Sequence, residues 1–163
     1  MQESNPLSIL LAHDHWASRQ VLDACATITP EQFHRRFEMG PGSLHDTMLH
    51  ILGAMRTWTE SLAGKEPGPR VEQSGQRSVA QLLELMDACA KDLRTEADRL
   101  PLSDTISRVR DGKTFTFARG VVLTHVATHG MHHRAQCLNM LRHVGVTPLP
   151  PTSVTIWSQV ADN

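Results

Sequence analysis

The sequence has no apolar run long enough to cross a bilayer, and no basic segment leads into an apolar stretch near Met1. The expectation is a soluble cytoplasmic protein with no membrane partner. Neither sign of charge is in excess: 16 Lys and Arg face 17 Asp and Glu, a net charge of −1 with His neutral. A nucleic-acid partner requires a basic face, and the short His34-Arg35-Arg36 cluster does not make one. Cysteine is scarce. Cys25, Cys89 and Cys137 are odd in number, far apart and each set in a helical pattern. That excludes a disulfide framework and predicts buried thiols in a reducing compartment. The His-Glu-x-x-His signature of zinc proteases is missing, since Gly130 follows His129. Carboxylate-bridged di-iron bundles need Glu-x-x-His on each of two helices, and only Glu31-Gln32-Phe33-His34 fits.

What the chain has is histidine. Ten occur in 163 residues, four of them between His125 and His133. With 40% apolar and 20% charged residues, the chain is globular and long enough for a real core. Residues 1–163 read as one domain.

Hydrophobic spacing predicts four long helices. The first runs from about Leu7 to Ala26, with Leu10, His13, Ala17, Val21 and Ala24 on one face and Trp16 beside them. Thr29-Pro30-Glu31 opens only a short turn to about Phe37. The Gly/Pro loop Met39-Gly40-Pro41-Gly42 follows, either a plain connector or the cover of a pocket. Ser43 to Asp46 resembles a capping box and starts the second long helix, which stops at Gly64. Its stripe is Leu44, Met48, Ile51, Met55, Trp58 and Leu62, with His50 at the edge and His45 pointing well away. A loop from Lys65 to Arg77 crosses over. Ser78 and Gln81 then box the start of a third helix to about Arg99, with Leu82, Leu85, Met86, Cys89 and Leu93 inward. It carries no histidine. Asp111-Gly112 between Ile106 and Val109 on one side and Thr114 to Phe117 on the other predicts a β-hairpin. It feeds the fourth helix, about Ala118 to His143, closed by Gly145. The Pro-rich tail from Thr147, with Val154, Ile156, Trp157 and Val160, is expected to fold back as a strap. The fold expected is all-α: an up-down-down-up four-helix bundle with a small hairpin-like insertion before the last helix.

His129 and His133 are four residues apart, one above the other on the fourth helix, and can aim both rings at one point. Two readings compete for such a pair: hydrogen-bonded or solvated imidazoles, or half of a metal site. A third ligand decides between them, and His50 on the second helix is the histidine able to reach across. Three nitrogen donors leave coordination positions open, which is the arrangement of a catalytic centre; structural zinc sites are closed by four protein ligands. Zn, Ni, Fe, Co or Mn would suit nitrogen donors. His125, also four residues from His129, is the reserve ligand or a neighbour of the site. Gln136 is placed to hydrogen-bond a ligand or substrate. His13 faces inward, as a pocket or core residue, and His132 suits a polar contact. Cys137 is a candidate nucleophile or ligand that reads better as a small buried residue.

Three segments carry a resemblance: His13-Asp14-His15-Trp16-Ala17, Leu49-His50-Ile51, and His129-Gly130-Met131-His132-His133-Arg134-Ala135-Gln136. Together they are similar to the DinB/YfiT-like proteins, a family distinct from the DNA polymerase sharing the first name. The resemblance spans nearly the whole chain. It implies an up-down-down-up bundle, commonly a homodimer, with a divalent metal on His50, His129 and His133. It also implies a small-molecule substrate and, in members of assigned activity, a low-molecular-weight thiol used by S-transferases and an isomerase. The expectation is a metal-dependent transferase or hydrolase; the alternative is a non-catalytic metal-binding, stress-response or interaction protein.

Overall fold

The computed structural model describes residues 5–160. Four long helices dominate it: α1 (Pro6–Cys25), α3 (Leu44–Leu62), α4 (Val79–Arg99) and α5 (Arg119–His143). The short α2 (Pro30–Phe33) and α6 (Val154–Val160), a 3-10 turn at Val71–Gln73 and a two-stranded sheet complete it. Among the described residues, no helix is long and apolar enough to cross a membrane.

The helix starts follow their capping chemistry. Asn5 accepts from the Leu7 amide with Pro6 behind it, and the Thr29/Gln32 and Ser78/Gln81 boxes both close. At α3 only half the expected box forms. Ser43 Oγ accepts from the Asp46 amide at 3.0 Å, but the Asp46 carboxylate turns to Arg36 and His45. An Asp side chain is one methylene shorter than Glu, and two donors beside it, Arg36 and His45, compete for its oxygens. The hairpin pairs β1 (Thr105–Arg110) with β2 (Lys113–Ala118), Arg110 opposite Lys113, around Asp111 and Gly112 at positive φ.

Each long helix packs on two others: α1 and α3 both lie against α4 and α5. Two apolar clusters fill the interior. One joins Val21, Leu22 and Cys25 to Leu44, Met48 and Leu52, to Leu82 and Met86, and to Cys137, Met140 and Leu141. The other joins Leu11 to Met55 and Leu62, to Cys89 and Leu93, and to Val122, Val126 and Ala127. All three cysteines are free and buried, as the sequence predicts. The tail returns to α1 around His13, where Trp157 of α6 meets the ring edge-on and the Thr152 carbonyl bonds it. Val154, Ile156 and Val160 stay exposed, so the expected strap covers less than its apolar residues suggest.

Buried cations stitch the layers. Arg119, at the first position of α5, donates to the Leu62 carbonyl at 2.8 Å and to the Glu96 carbonyl. Its charge thus caps the C-terminal ends of α3 and α4, where helix dipoles favour cations. Between the stretches of α1 and α5 that feed the two clusters lies a polar layer. Arg134 donates to the Asp14 carboxylate and to Ser18 Oγ, and all three residues are buried. Burial pushes the Asp14 carboxyl above its usual range, against the pull of Arg134. Gly130, one turn before Arg134, gives this pair its room. A Cβ there would sit 2.5 Å from Asp14 Oδ1 and 2.8 Å from Arg134 Nη1.

Two substitutions test this layer in chelated, metal-free protein. Gly→Ala inside a helix ordinarily stabilises by about 1 kcal/mol. Gly130→Ala is expected to reverse that sign and cost about 1–3 kcal/mol, the usual range for overpacking, in urea denaturation. Arg134→Ala strands the Asp14 carboxylate in the interior and should cost about 3–5 kcal/mol by the same measurement.

Candidate metal centre

Three imidazoles converge between α3 and α5. His50 sits on the shoulder of the α3 stripe, one residue before the buried Ile51. His129 and His133 lie one turn apart on α5, with ring centroids 4.5 Å from each other. The His50 ring is 4.9 Å from His129 and 4.7 Å from His133. One nitrogen from each of the three falls within 4.8 Å of the others, and the two facing Nε2 atoms of His50 and His129 are 3.2 Å apart. All three side chains are half-buried.

The partners on the far side of the rings show what this nitrogen set suits. His50 Nδ1 lies 3.2 Å from Glu72 Oε1, and His133 Nδ1 lies 2.8 Å from Gln136 Oε1. Both oxygens only accept, so each Nδ1 carries the proton. His50 Nε2 then faces His129 Nε2, and one nitrogen of each ring meets the others in the cluster. Burial and then the charges of His133, His50, His125 and His132 push the His129 ring down to about 4. Burial also lowers His133, with His50 and His132 adding to it against the Gln136 hydrogen bond. An environment that disfavours the charged forms of His129 and His133, with three nitrogens converging, suits a divalent cation. The donor chemistry therefore fits a metal ion held by three nitrogens, with backing hydrogen bonds of the kind that orient histidine ligands.

The sequence model of the DinB family matches residues 1–159. The chain belongs to the DinB family. No curated protein matches it.

In this DinB protein the other candidate histidines lie apart from the cluster. His125 is exposed, its ring 5.6 Å from His129 and 5.5 Å from Trp58, so it borders the three without joining them. His132 is exposed too, with Nε2 at 3.3 Å from the Gln136 amide nitrogen. His13 is on another flank of the molecule, bonded to the Thr152 carbonyl at 2.9 Å between Trp16 and Trp157, and it holds the tail. His45, which helical geometry turns well away from the α3 stripe, is not left in solvent. It is buried, with Nδ1 at 2.8 Å from Asp46 and Nε2 accepting from the Arg77 amide at 3.1 Å. The chain leading into α4 folds over that side of α3, which spacing along one helix does not reveal. Cys137 lies sealed in the core, and burial pushes its thiol up to about 12, the condition of a packing residue and not of a nucleophile.

The residue that sequence reading missed is Glu72. It belongs to the 3-10 turn in the crossing loop, where no periodicity marks a side chain as facing anything. The turn is anchored by the buried Val71. Glycines seat both backing residues of the DinB site. A Cβ on Gly53 would lie 2.7 Å from the Glu72 carboxylate, and one on Gly40, at φ +52°, would collide with the Gln136 amide. The Gly/Pro loop thus packs against α5 beside the histidines.

Gly53→Ala tests this seating. The clash falls on the free end of a flexible side chain, so Glu72 swings away and the fold is retained. Metal affinity should drop about 10–100-fold, the usual cost of losing such a backing group, when measured by competition with a chelator, with Tm of the metal-free protein near that of the parent.

Proposed function

We propose that this DinB protein is a divalent-metal enzyme acting on a small molecule, with the ion held by His50, His129 and His133. The observation that carries the reading is the convergence of three inward nitrogens backed by Glu72 and Gln136. A bound divalent ion supplies Lewis acidity at its open positions, where it lowers the pKa of a water or a thiol. The protein's own groups do the rest. Glu72 and Gln136 hold the Nδ1 protons of His50 and His133 and so fix which nitrogens are offered. Trp58 and His125 wall one side of the site. Transfer of a low-molecular-weight thiol to an electrophile, or hydrolysis, are the reactions this arrangement serves. Zinc, nickel, iron, cobalt and manganese all suit the donors.

The accompanying reading of the fold is one domain built as an up-down-down-up four-helix bundle. Cluster membership supports it. The C-terminal part of α1 shares a core with the N-terminal parts of α3 and α4 and the C-terminal part of α5. A homodimer belongs to the same reading; Val121 and Met131 on α5 are large exposed apolar residues available to it. The alternative is a non-catalytic module in which the ion staples α3 to α5, since the ligands come from those two helices alone.

Elemental analysis of protein purified without a His-tag should find close to one divalent ion per chain, and His50→Ala should lose it. Retention of the metal by His50→Ala removes that residue from the site. His45→Ala is a poor control, because it also orphans the Arg77 amide; His143→Ala, on the exposed end of α5, is the better one and should keep the ion. Turnover of the loaded protein with small thiols and chloro-aromatic or epoxide acceptors supports the enzyme. No turnover with any acceptor, together with a large fall in Tm on chelation, supports the staple.

A further inference from the structure

A cleft of about 640 Å³ opens between the hairpin and α3, lined by Trp58, Arg70, Arg108, Arg110, Phe115 and Phe117 among others. Its chemistry is unusual for a surface hollow: three guanidiniums beside three aromatic rings. The Arg108 guanidinium lies 4.4 Å over the Trp58 ring, a stacked arrangement that occupies its face and leaves its N–H edge free. Trp58 meets Phe117 edge-on at 5.8 Å, and Phe117 stacks parallel to Phe115 at 6.4 Å. Neither Arg70 nor Arg108 has a carboxylate partner among the described residues. Arg110 has Asp111 at 3.6 Å, but both side chains are more than four-fifths exposed, and such a pair neutralises little. Asp111 also lines the cleft, but at its exposed rim, and burial and then the charge of Arg110 lower the Arg108 guanidinium.

Both walls of this cleft lead to the histidine cluster. On one side Trp58 touches His125, and His125 touches His129. On the other, Arg70 precedes by two residues the Glu72 that bonds His50. The hollow therefore borders the histidine cluster, one ring removed from it through His125.

We infer that the cleft binds a small aromatic anion, its ring against Trp58, Phe115 and Phe117 and its carboxylate or phosphate on Arg70, Arg108 and Arg110, and presents it to the three histidines. Planar guanidinium edges match either oxyanion in a two-pronged grip, and the rings supply apolar contact for the body. The presentation step rests on the metal-enzyme reading; the binding step does not.

Calorimetric titration of the chelated, metal-free protein with 2-naphthoate, 2-naphthyl phosphate and neutral 2-naphthylmethanol tests the binding step. At least one anion should bind about tenfold or more tightly than the alcohol, as expected for charge-assisted hydrogen bonds, and the tighter of the two names the oxyanion. The double variant Arg70→Gln/Arg108→Gln should lose that margin while taking up zinc as the parent does, which shows that the fold and histidines are intact. Equal affinity for the alcohol and both anions, or an undiminished margin in the double variant, overturns the inference. In manganese-loaded protein, the ring protons of the bound anion should show strongly enhanced relaxation. An anion held by the arginines but not relaxed by the ion lies away from the centre, and overturns the presentation step. A protein that takes up no metal sinks the metal-enzyme reading and the presentation step with it, while the metal-free titration still judges the cleft.

Discussion

The contact between Arg134 and Asp14 sets how α5 sits in the molecule. A helix packed only by apolar side chains can rotate by tens of degrees and still bury most of its stripe. A buried ion pair does not tolerate this, because any turn that separates its members leaves a charge unpaired in the interior. Arg134 and Gly130 face α1 together, one carrying the cation and the other leaving room for the carboxylate. His133 and His129 each come one residue earlier, about 100° round the helix. Fixing the first pair of positions against α1 therefore aims the second pair at α3, where His50 waits. The cost of burying Asp14 is borne by the fold, and its return is the direction of two rings.

The same economy of space recurs around the site. Glu72 and Gln136 approach the imidazoles over positions that have no side chain, Gly53 and Gly40. Close approach of polar side chains to a packed helix leaves no volume for even a methyl group. Two loops that look like connectors in the sequence thus reach the centre: the crossing loop brings Glu72, and the Gly/Pro loop lies against Gln136. Two of the three rings, His50 and His133, are oriented from behind by acceptors that lie outside the cluster themselves.

Much of this was legible beforehand, and the limits have physical causes. The four long helices, the hairpin and most caps follow from local rules: 3.6-residue spacing, Ser and Thr at N-caps, Asp-Gly at a tight turn. The grouping of His50 with His129 and His133 was also accessible, since edge-of-stripe positions on two packed helices point toward their shared seam. Asp14 and Arg134 were visible as residues but not as partners. Nothing in a single helical pattern says that a charged residue on the inner face will find its opposite 120 positions away. His45 shows the converse failure. Its own helix turns it outward, and only tertiary folding of a distant loop encloses it. Glu72 had no signal at all, because irregular chain carries no period from which a facing can be computed.

The sealed state of the three cysteines has a chemical meaning for the histidine cluster. Cys25 and Cys137 are packed in one apolar cluster and Cys89 in the other, and burial raises all three thiols above their ordinary range. Held protonated and out of reach, they neither compete for a soft cation nor couple to an incoming mercaptan in a mixed disulfide. The scaffold's own sulfur therefore stays apart from the histidine cluster, whatever ligand that cluster takes.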